Sequence, residues 1–71
     1  MTFEEYWREV DKTHLLPAMA IVQIPTSLSN STKKKLMKKQ PEETARLINT
    51  AIDEVNRGSI ESIDSLVKKR L

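Results

Sequence analysis

The sequence predicts an all-α fold: a small bundle of about four short helices ending in a C-terminal αα-hairpin, read as one domain over residues 1–71. Three observations lead there. Apolar residues recur at three- and four-residue spacing near both ends of the chain, the period of a helix with one buried side. A single glycine among 71 residues leaves little for the tight turns of an all-β fold. Clear helix starts, stops and caps also fall between the periodic stretches.

The first helix opens on a capping box. Thr2 offers its hydroxyl to a free N–H of the first turn, and Glu5 reaches back to the N–H of Thr2. Phe3, Tyr6, Trp7, Val10 and His14 then share one stripe, which holds every aromatic residue of the protein. Aromatics carry the largest apolar burial per residue, so this stripe is read as a core anchor, with Trp7 buried.

Pro17 and Pro25 bracket the segment 18–24. A residue that precedes proline is biased away from the α region, which predicts boundaries at Leu16 and Ile24. Pro17 suits the start of a short helix. The β-branched Ile21, Val22 and Ile24 suit an extended strand as well, so both remain open, with a short helix preferred. The Ser, Thr and Asn side chains of 26–32 compete for the backbone and predict a turn. A helix over about 32–39 follows, capped by Ser29 or Ser31.

Pro41 predicts the first position of the next helix, where Glu42 and Glu43 complement the positive end of its dipole. Ala45, Ile48, Ala51, Ile52 and Val55 form its apolar stripe, and Ile52, like Trp7, is expected to be buried in the core. Gly58 is expected to end it in a left-handed cap. Ser59 is then expected to cap the last helix, lined on one side by Ile60, Ile63, Leu66, Val67 and Leu71. Lys68, Lys69 and Arg70 suit its C-terminal end.

Composition removes several kinds of chemistry. There is no cysteine and only one histidine, His14, which leaves no disulfide, thiolate or His-rich metal site. His14 has no serine-nucleophile motif or Gly-rich elbow to work with. The carboxylate pairs Glu4/Glu5, Glu42/Glu43 and Asp53/Glu54 are adjacent in sequence, so on a helix they diverge by about 100°. No catalytic, cofactor-binding or metal-binding residue is therefore assigned, and no enzyme or small-molecule substrate is expected. The apolar run 15–24 is too short to span a bilayer, which takes about 20 residues. The acidic opening is unlike a secretory signal, and a cytoplasmic setting is expected.

The sharpest chemical feature is five lysines within residues 33–39, in a chain of net formal charge +2. On an ideal helix Lys34, Lys35, Lys38 and Lys39 share an arc of roughly 140°, with Leu36 and Met37 opposite. Such a face attracts anions, and these four residues are the candidate nucleic-acid contact. Arginine and aromatics are absent from the segment, so any contact would be to phosphate and blind to sequence. Acidic residues at 4, 5, 9, 11, 42 and 43 are alternative internal partners. A helix-turn-helix around Gly58 is rejected, since Glu61 and Asp64 would sit where that motif approaches DNA.

A core this small needs reinforcement, and association is the route that composition leaves open. The leading expectation is a non-enzymatic helical interaction protein that binds itself or another protein. The alternative is a nucleic-acid-binding accessory protein working through residues 33–39.

Overall fold

The computed structural model describes all residues 1–71. It holds five helices and no strand: α1 (Phe3–Lys12), α2 (Ala18–Ser27), α3 (Asn30–Leu36), α4 (Pro41–Asn56) and α5 (Ile63–Lys68). α1 and α5 both pack on α4, and α2 and α3 lean against α5. The resulting body measures 34 × 24 × 19 Å.

The capping box forms as its spacing requires. Thr2 N–H donates to Glu5 Oε1 at 2.9 Å, and Glu5 N–H donates to Thr2 Oγ1 at 3.2 Å. Accepting from the Thr2 backbone holds the Glu5 carboxyl below its usual range. Tyr6, Trp7 and Val10 are buried, and Phe3 stacks on Trp7 with ring centroids 5.4 Å apart. His14 leaves the stripe: α1 ends two residues earlier, and His14 turns into the left-handed region with φ 57°.

Residues 18–24 are helical, and α2 runs on through Pro25 to Ser27, past the boundary expected at Ile24. Proline has no N–H, so the Ile21 carbonyl lacks its partner one turn on. The Trp7 indole fills that place, with Nε1–H donating to Ile21 O at 2.7 Å. A side chain of α1 thus allows a proline inside α2. The link between these helices is tied to α4 by Asn49, whose Nδ2–H donates to Leu15 O at 2.6 Å.

Ser29 caps α3, and Thr32 and Leu36 are its buried side. Pro41 starts α4, with Ala45, Ile48 and Ala51 wholly buried. Ile52 is only partly buried, on the flank of the core. Gly58 takes φ 101°, the left-handed conformation expected after α4. The last helix begins later than expected: Ser62, not Ser59, accepts from the first turn, and α5 is one of the two shortest helices. Ile60 therefore falls in the connection and is wholly exposed, while Leu66 and Val67 reach the core. Leu71 lies beyond α5 at the surface. No helix is long and apolar enough to cross a membrane.

Candidate functional site

Two surface features stand out: the lysine segment and an apolar groove. The lysines are positioned by Leu36, which is wholly buried and anchors the end of α3. Beyond it the chain tightens, with Lys38 N–H donating to Lys35 O and Lys39 N–H to Leu36 O. These i→i+3 bonds end the α-helix and break the single lysine arc of an ideal helix.

The five side chains divide accordingly. Lys33 Nζ stands 5.2 Å from the centroid of the Phe3 ring, a cation–π contact between α3 and α1. Lys39 turns toward α4, 27% exposed, with Nζ 3.5 Å from Glu43 Oε1. Lys34, Lys35 and Lys38 stay in solvent and make no ion pair. Of the acidic candidates, Glu9 pairs with Lys12 and Glu42 with Arg46, which leaves internal compensation of the segment to Lys39 alone.

The base of the segment is fixed from beneath. The Tyr6 hydroxyl donates to Lys39 O at 2.9 Å and lies 2.6 Å from Thr44 Oγ1. Burial raises the Tyr6 pKa above its ordinary value. At the other end of α3, Ser29 N–H donates to Asp64 Oδ1 at 2.9 Å and binds α3 to the first turn of α5. That bond, with the Thr32 hydroxyl and more distantly Lys68, lowers the Asp64 carboxyl to about 2.

The second feature is an open groove of about 380 Å³ between α2, α4 and α5. Met19, Ala20 and Ile24 form one wall and Ile52, Val55 and Ile63 the other; none of its ten lining residues is charged. α2 also keeps apolar side chains in water, with Met19 69% exposed at the rim of the groove and Val22 74% exposed outside it. Periodicity misses this surface because α2 is apolar on its inner and outer sides alike. The absence of any charged residue from 15 through 32 is the signal in the sequence. Nowhere do three His, Cys, Asp or Glu side chains gather into a group that could hold a metal ion.

No family model, no curated protein and no solved structure matches this chain.

Proposed function

We propose that this protein is a non-enzymatic helical interaction module that associates through the outer side of α2 and the groove beside it. The observation that carries this reading is the exposure of Met19 and Val22 on a helix with no charged residue. An apolar surface rimmed by polar residues is how interaction sites present themselves on small proteins. A small domain also gains stability by mass action when that surface is covered.

Light scattering at tens of micromolar tests the reading, with a mass of at least twice 8.2 kDa expected for self-association. The melting temperature should rise with protein concentration, and Val22→Asp should abolish both effects. A monomer whose melting is independent of concentration overturns self-association.

Lys34, Lys35 and Lys38 favour a second reading, a nucleic-acid-binding accessory protein. Three unpaired lysines at one end of α3 offer phosphate contacts without sequence readout. Lys39 joins them only by giving up Glu43.

A further inference from the structure

Resting on the self-association reading, we propose that the occupant of the groove is Ile60 of a second copy, exchanged reciprocally about a two-fold axis. Ile60 is the most exposed large apolar side chain of the protein, at 101%. Its backbone is nevertheless held on both sides. Ser59 N–H donates to Glu54 O at 3.0 Å and Glu61 N–H to Ser59 Oγ at 3.3 Å. The Glu61 carboxylate is gripped by Lys69 Nζ at 2.6 Å. An apolar side chain presented on an ordered backbone loses little conformational freedom when it docks.

The receiving site lies close by. Ile60 sits in the connection between α4 and α5, and those two helices supply one wall of the groove through Ile52, Val55 and Ile63. A projection and a cavity built from neighbouring residues can satisfy each other reciprocally when a two-fold axis relates the copies, which closes the pair; without that axis the same contact would repeat into rings or open chains. Apolar cavities of about 150 Å³ already take a benzene-sized group, so 380 Å³ leaves room for a branched aliphatic side chain.

Charge selects a second copy over a charged partner. A two-fold contact sets a surface against itself, so net charge there repels, and this groove has none. Near its α4 wall, Asp53 and Arg57 carry opposite charges four residues apart and make no ion pair within the chain. An antiparallel two-fold contact can pair such an arrangement with itself. Met19, Val22, Val55 and Ile60 are all exposed large apolar side chains, and a two-fold contact covers each of them on both copies, toward the about 800 Å² that each partner buries in a standard interface.

The test uses the whole chain. Sedimentation across 1–200 µM (roughly the range in which a small apolar interface forms) should give a dimer. Ile60→Asp should weaken it at least about tenfold without changing the far-ultraviolet spectrum or the melting temperature at high dilution. The chain has no cysteine, so mild oxidation of an equal mixture of Ile60→Cys and Met19→Cys should join residue 60 of one copy to residue 19 of the other. A dimer that persists in Ile60→Asp, or a mixture that yields no 60–19 disulfide, overturns the exchange and leaves self-association standing. A wild-type monomer throughout the range overturns both.

Discussion

The Trp7 indole donates a hydrogen bond of 2.7 Å to the carbonyl of Ile21, the oxygen that Pro25 leaves without a backbone donor. One contact therefore completes the hydrogen bonding of α2 and fastens it to α1. Trp7→Phe should destabilise the protein by about 1–3 kcal/mol, since it strands a partly buried acceptor. In a Pro25→Ala background the residue 25 N–H can reach Ile21 O, and the same change should be milder by about 1 kcal/mol. Urea midpoints for the four chains measure this coupling. Equal losses in both backgrounds would detach the proline from the indole.

Tyr6→Phe deletes the hydroxyl that serves both Lys39 O and Thr44 Oγ1, and should cost about 1–3 kcal/mol. It should also change alkaline behaviour. The folded pKa of Tyr6 is raised above 10.0, so the folded state holds its proton longer than the unfolded chain does. Its contribution is complete below 10.0 and fades as pH climbs through the folded value. The stability difference between wild type and Tyr6→Phe should shrink over that interval in urea titrations.

Asp64 gives the opposite dependence. Its folded pKa of about 2 lies below the ordinary 3.8, so its contribution is present above 3.8 and lost as pH falls through about 2. Solvent reaches this carboxylate, which limits the effect to about 1 kcal/mol. Thermal melts between pH 5 and about 1.5 should show Asp64→Asn losing less stability on acidification than wild type. Parallel curves for the two proteins would mean that Asp64 contributes nothing through its charge.

If Lys34, Lys35 and Lys38 contact phosphate, binding of mixed-sequence duplex DNA should weaken with salt along a log–log slope of about −2.7. A slope near −3.6 would mean that Lys39 has left Glu43 to join them. Lys35→Glu with Lys38→Glu should flatten the slope and leave the melting temperature unchanged, because neither side chain is paired. Absence of binding at about 0.15 M salt removes the nucleic-acid reading.

Gly58→Ala isolates a backbone effect. A Cβ at residue 58 would meet nothing within 4 Å, yet φ is 101°. The loss, about 1–2 kcal/mol by denaturant titration, should therefore reflect conformation alone. An unchanged midpoint would show that the turn relaxes freely.

What the sequence reveals follows the range of the interactions involved. Thr2, Glu5, Pro41 and Gly58 act within one turn of their own helices, and each takes its expected place. Pro25 misleads because its rescue comes from Trp7, far along the chain and invisible to local spacing. Ser59 and Ser62 are equally good caps by composition; the later one caps α5, and in that register Asp64 accepts from the Ser29 N–H, a contact 35 residues away that local spacing does not show. The same later start puts Ile60 in solvent and moves an expected core residue to the surface. Within the candidate site the lysines are legible as a cluster, but their division is not. Lys39 faces Glu43 because the chain tightens after the buried Leu36, a consequence of packing.

The Tyr6 hydroxyl finds its partners 33 and 38 residues further along the chain. During synthesis, then, the Tyr6 side chain is made long before the residues that satisfy its hydroxyl. Until the α4 segment follows, that hydroxyl lacks Thr44, and the α4 side of α1 has nothing to pack on.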